Sequence, residues 1–196
     1  MYVWFSKMEM MEEVLHLFIT NKCRHHCPLC CNRLYMIHKI PVVTVELLRS
    51  VKTICLTGGE PFSIESHLLT AFIRNIRCEY PNIKNLYIYT SGSEFKECAR
   101  DYVDLIRMEY INGINIAPKD WKDWCGFAKC AESGGQILFP NENSNRLYVF
   151  KDQKRIFEAM HIDLISCNIE VIDRQWTKSF ETPSNEHFAR LPILFH

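Results

Sequence analysis

Long apolar runs are missing from this chain, and so is any excess of charge. No stretch approaches the roughly 20 apolar residues that a membrane-spanning helix needs, so no membrane span is expected. The 23 Lys and Arg offset 23 Asp and Glu. That balance provides no long-range attraction to nucleic acid or anionic lipid, and neither is expected as a partner. Internal repeats, low-complexity segments and linkers rich in Gly, Ser or Pro are also absent. The simplest organisation is one domain over 1–196, with a core at about 14–171 and a tail over 172–196. At 196 residues and 47% hydrophobic, such a domain can bury a sizeable core. The opening MYVWFSKMEMMEEVLHLFIT has neither a basic start nor a small-residue cleavage site, so it is not expected to act as a secretion signal.

What the chain does have is ten cysteines. Without a secretion signal they point to a cytoplasmic protein and to metal ligation more than to a disulfide framework. Cys55, Cys78, Cys98, Cys125, Cys130 and Cys167 are scattered and are read as structural, since buried cysteine behaves as a small hydrophobe. Cys23, Cys27, Cys30 and Cys31 crowd into CRHHCPLCC. Cys23, Cys27 and Cys30 give C-x3-C-x2-C, and Cys31 in place of Cys30 gives C-x3-C-x3-C. Adding His25 or His26 would complete a four-ligand zinc site. Structural zinc usually joins two distant hooks, and the only other near pair, Cys125 and Cys130, has poor spacing for it. Three thiolates from one loop suit a cubane iron–sulfur cluster with one iron left open. On the cysteines alone both metals remain open, with iron–sulfur favoured.

Short apolar or β-branched runs alternate with helical patterns along the chain. Expected strands are VLHLFIT, TICLTG, NLYIYTS, GINIAP, RLYVF and LISCNIEV, read as continuous apolar runs covered on both faces. TVELLRSV is expected to be a helix capped by Thr44. SIESHLLTAFIRNIRC places Leu68, Leu69, Phe72, Ile73 and Ile76 on one stripe. Further helices are expected over EFKECARDYVDLIRM and DQKRIFEAM. The alternation predicts an α/β fold with a mostly parallel sheet that curls into a partial barrel of six strands with trimmed helices. In such folds chemistry collects at the C-terminal ends of the strands. The unusual residues stand there in order: the cysteine loop after the first strand, GGEP after the second, TSGS after the third and NIAPK after the fourth.

C-x3-C-x2-C after one strand and GGEP after the next resemble the radical S-adenosylmethionine (SAM) superfamily. The resemblance implies a partial (β/α)6-type barrel that holds a [4Fe–4S] cluster on Cys23, Cys27 and Cys30. SAM would chelate the fourth iron, and its reductive cleavage would yield a 5′-deoxyadenosyl radical that abstracts hydrogen from a substrate. By the same resemblance Gly58, Gly59 and Glu60, stiffened by Pro61, lie against the methionine amino group. Thr90 and Ser91 match the polar pair of the third strand, and Asn115 and Lys119 a SAM-contacting region of the fourth. Leu29 stands where an aromatic residue is common and would offer an apolar face near the adenine. A glycine-containing adenine motif on the fifth strand is not recognisable.

CRHHCPLCCNR, with Asn32 after the cysteines, is similar to the activating enzymes of glycyl-radical systems, the activase of anaerobic ribonucleotide reductase included. That similarity implies a protein substrate and an electron donor such as flavodoxin or ferredoxin. Modifiers of small molecules or peptides, including those resembling 7-carboxy-7-deazaguanine synthases, are the alternative within the same chemistry. A non-catalytic zinc or iron–sulfur binding module is the alternative outside it.

Overall fold

In a computed structural model of the chain, seven strands form one open sheet in which every hydrogen-bonded pair runs parallel. The structure describes residues 12–94, 103–140, 143–165, 167–176 and 184–195, with the side chains of 133–138 excepted. The strands are β1 (Val14–Thr20), β2 (Thr53–Thr57), β3 (Asn85–Thr90), β4 (Gly113–Ile116), β5 (Asn145–Phe150), β6 (Ile169–Arg174) and β7 (Glu186–Phe195). Their order in space is β6-β5-β4-β3-β2-β1-β7. From β1 to β6 each connection steps the same way across the sheet, which brings all six C-terminal strand ends to one rim.

The helices are α1 (Cys31–Leu34), α2 (Val45–Ser50), α3 (Ser66–Glu79), α4 (Trp121–Leu138) and α5 (Lys154–Met160). Thr44 caps α2, its side chain accepting from the Leu47 backbone N–H at 3.2 Å. On α3, Leu69, Ile73 and Ile76 are buried while Leu68 is exposed, because 69, 73 and 76 line one side of a 3.6-residue turn and 68 falls about 100° away. Residues 103–107 are helical. The rest of the helix expected at 94–108, with Cys98, lies almost wholly outside the described residues.

The core occupies one face of the sheet. Leu15, Leu17, Ile54, Leu56, Leu86, Ile88, Ile114, Ile116, Leu147 and Val149 pack there against α3, α4 and the loops between them. The expectation of strands covered on both faces holds at β2 and β4, buried at almost every position, and is corrected at β3, whose positions alternate between buried and half-buried. The second face carries His16, Cys55, Tyr87, Tyr89, Asn115, Arg146, Tyr148 and Phe188, placed in cross-strand register. Its Tyr and Phe residues had made alternating strands look uniformly apolar. Rings on alternate strands meet across this face: His16 and Tyr89 lie 6.1 Å apart and Tyr89 and Tyr148 6.4 Å. Two strand spacings are about 9.6 Å, so these rings lean toward one another over the strand between. The short side chains of Cys55 and Asn115, on those intervening strands, leave room for that approach.

Three elements differ from expectation. The sixth strand starts at Ile169, since Leu164 and Cys167 pack into the core from the preceding loop. The 18-residue α4 fills a stretch expected to carry only scattered cysteines. The tail supplies β7, parallel to β1, with Thr20 Oγ1 donating to the Phe195 carbonyl at 2.8 Å. The sheet thus has seven strands where six were expected.

At Gly113, on β4, φ is 153° and a Cβ would stand 1.9 Å from the Ser144 carbonyl oxygen. Gly113→Ala must push the β5 entry away, and a loss of about 1–3 kcal/mol is expected, the usual cost of overpacking. A chemical-denaturation midpoint equal to wild type would contradict this contact.

Candidate functional site

The cysteine loop springs from the end of β1, and the turn after β2 is built against it. Gly58 and Gly59 have φ values of 79° and 56°, a region that side chains other than glycine rarely occupy. A Cβ on Gly59 would lie 2.3 Å from the Lys22 carbonyl oxygen, and one on Gly58 2.8 Å from that of Thr20. The Glu60 backbone N–H donates to the same Lys22 carbonyl at 2.7 Å. The close approach that these glycines permit is thus made first to the chain itself, at the root of the cysteine loop. A side chain at Gly59 would shift that loop.

Glu60 is 2% exposed. Its Oε1 accepts from Thr90 Oγ1 at 2.7 Å and from the Phe62 N–H at 3.2 Å. Its Oε2 accepts from the Ser91 N–H at 2.7 Å and Ser91 Oγ at 2.8 Å. Pro61, buried, opens the 3-10 turn Pro61–Ser63 that aims the Phe62 N–H at this carboxylate. Burial raises the Glu60 carboxyl above its ordinary value, and the donations from Ser91, Thr90 and Phe62 pull it back. Among the described residues no cation pairs with it. The sequence-predicted groups of the second and third strands therefore meet in one knot.

Cys23, Cys27, Cys30 and Cys31 are free thiols, all half-buried. Burial raises the thiols of Cys23 and Cys27. The Glu60 charge adds to the rise at Cys23, and the Lys119 ammonium counters it at Cys27. Cys30 is shifted down, chiefly by a hydrogen bond from the Cys31 thiol and further by the N–H groups of Arg33 and Asn32. Cys31 is correspondingly raised. Asn32, half-buried, joins the loop to the glycine turn, its Oδ1 accepting from the Gly59 N–H at 3.3 Å. Leu29 is half-buried in the same loop.

Asn115 is buried on β4 and accepts from the Tyr148 hydroxyl at 3.4 Å. Lys119 lies on an aromatic shelf, its Nζ 3.9 Å from the centre of the Phe150 ring and 4.8 Å from that of Trp176. Phe150 and Trp176 stack at 4.1 Å. Burial lowers the Lys119 ammonium, and the charges of Cys27, Asp152 and Asp123 partly restore it.

The same rim holds groups that sequence reasoning did not bring together: Arg24, Asp120 and Asp123 in one cluster with His25, read above only as a zinc ligand, and Trp176 beside Lys119. The pair His16–Glu186, at 3.1 Å, stands on the second face toward the N-terminal strand ends. Only D-x-x-D at 120–123, a helix-start pattern, carried a local signal. No protein-family model matches the chain, and no curated protein matches it in sequence.

The thiolate is the nucleophile in alkylation, so the opposed shifts set an order. At about pH 7 a limiting dose of iodoacetamide on the metal-free protein is expected to label Cys30 first. Labelling of Cys23 and Cys27 is expected to gain speed only as pH rises toward their raised values. Peptide mapping that finds Cys23 labelled ahead of Cys30 at neutral pH would refute the assignment.

Proposed function

We propose that the chain is a radical SAM enzyme in which Cys23, Cys27 and Cys30 hold one [4Fe–4S] cluster. Glu60 carries the reading. It is a carboxylate at the base of a three-thiol loop, buried, served by four neutral donors, and lacking a cation among the described residues. Buried charges are ordinarily paired, because an isolated one is costly to desolvate. SAM brings an ammonium and a sulfonium, the kind of charge that this carboxylate lacks. Three soft donors from one loop fit iron with a position left open for such a ligand.

Bound there, cluster and SAM supply one-electron cleavage and hydrogen-atom abstraction, which no side chain performs alone. The chain's own residues bind and orient. Glu60 has its lone pairs engaged, so it acts on an ammonium through Thr90 and Ser91: each hydroxyl donates to the carboxylate and keeps a lone pair to accept with. Lys119, beside Cys27, offers a positive charge to a carboxylate. Leu29 shields one side of the loop from water. The second face, with Tyr89 and Tyr148 below the rim, receives the substrate. An open sheet suits a substrate presented by another protein, such as a glycine loop of a glycyl-radical enzyme, and the reductant is a donor of the flavodoxin or ferredoxin class.

Anaerobic reconstitution is expected to load about four irons and four sulfides per chain. Cys23→Ala, Cys27→Ala and Cys30→Ala are each expected to abolish loading, and Cys31→Ala to retain it. Stoichiometric zinc without iron, or loss on Cys31→Ala with Cys30→Ala tolerated, would overturn the ligand set.

A second expectation isolates the cofactor. Glu60→Gln keeps the shape and removes the charge, so iron is expected to stay. SAM affinity is expected to fall about tenfold or more, the scale of a charge-assisted interaction. An EPR spectrum of the reduced cluster that SAM leaves unchanged, with no 5′-deoxyadenosine formed, would end the catalytic reading.

A further inference from the structure

Between Cys23 and Cys27 stand Arg24 and His25, for which the proposed chemistry has no use. Arg24 grips the start of α4: Nη1 donates to Asp120 Oδ2 and Nη2 to Asp120 Oδ1, both at 3.0 Å, and Nη2 also contacts Asp123 Oδ1. His25 Nε2 lies 3.0 Å from Asp123 Oδ2. The His25 side chain is 8% exposed and that of Asp123 0%. Both aspartates also build the helix end, since Asp120 Oδ1 accepts from the Asp123 N–H at 3.0 Å and Asp123 Oδ2 from the Lys119 N–H at 2.8 Å. The anchor is therefore rigid, a reciprocal cap on an 18-residue helix. His25, Asp120 and Asp123 have the composition of a divalent-cation site. However, the Arg24 guanidinium lies on the carboxylate oxygens that such an ion would take. The cation of this cluster is Arg24.

The loop has three attachments. Its root is held by Glu60 at Lys22, and its far end by α1 and Asn32. Within the loop Arg33 Nη2 donates to the Cys27 carbonyl, and among the described residues this cluster is what ties the middle, across 96 residues of sequence, to the end of β4. We infer that Arg24 is a positioning residue that pre-sets the spacing of Cys23 and Cys27 before metal arrives. The loop then has less freedom to lose on binding, and outer-shell partners of this kind hold ligands in place. The inference rests on the reading of Cys23, Cys27 and Cys30 as ligands.

The test uses the full chain as wild type, Arg24→Gln and Arg24→Lys. Two rates are measured: modification of Cys23 and Cys27 in the metal-free protein by a small disulfide reagent, resolved by mass spectrometry, and loss of iron from the reconstituted protein to a chelator. Arg24→Gln is expected to speed both by about tenfold or more, the usual effect of an outer-shell loss. Arg24→Lys, which keeps the charge and loses the fork, is expected to fall between. Removing a positive charge would by itself slow thiolate attack, so faster modification reports a freed loop. If wild type loads iron and Arg24→Gln matches it in both rates, the clamp is refuted. If wild type loads no iron while Arg24→Gln still frees the thiols, the cluster reading fails and the clamp stands. If Arg24→Gln does not fold, Arg24→Lys decides by the same rates, and equality with wild type refutes the clamp.

Discussion

The Glu60 carboxylate is the constraint around which the rim is arranged. One buried carboxyl group gathers the ends of β2 and β3, because its oxygens can be satisfied only if Thr90, Ser91 and the Phe62 N–H converge on it. That convergence fixes the turn carrying Gly58 and Gly59, and the turn in turn presses on the root of the cysteine loop at Lys22. Buried polar networks of this kind matter most when every member is satisfied. Here each oxygen is, and among the described residues no cation stands beside the group.

The sheet supports this by dividing its labour between two faces. One is filled by aliphatic side chains under α3 and α4 and carries the hydrophobic stabilisation. The other holds a row of rings drawn together across alternate strands, with Cys55, Asn115 and Tyr148 buried and His16, Tyr87 and Tyr89 half-buried. There side chains of β1, β3 and β5 come within reach of one another over the strands between.

Much of this was legible in the sequence, and the parts that were not share a cause. The strands from β1 to β5 announce themselves as short apolar or β-branched runs, the first three followed by Asn21, Gly58 and Ser91. The groups at their ends fall in chain order on one rim, because parallel βα units leave no other arrangement. Helix α4 was hidden by Gly126, Gly134 and Gly135, poor helix formers whose cost tertiary packing of Trp124 and Phe127 offsets. Pro192 concealed β7, since proline is tolerated only where a strand has a free side. The clamp of Arg24 on Asp120 and Asp123 left no trace, because an ion pair between residues a hundred positions apart has no local pattern.

The pairing of β7 with β1 bears on the order of assembly. His16 meets Glu186 across 170 residues of chain, and closing so long a loop is entropically expensive and slow. Synthesis proceeds from the N-terminus, so β1 is made early and can dock on β2 long before its other neighbour exists. Throughout that interval its outer edge offers unpaired backbone groups beside a loop of reactive thiols, the point in the life of the molecule at which misassociation and oxidation would both find it.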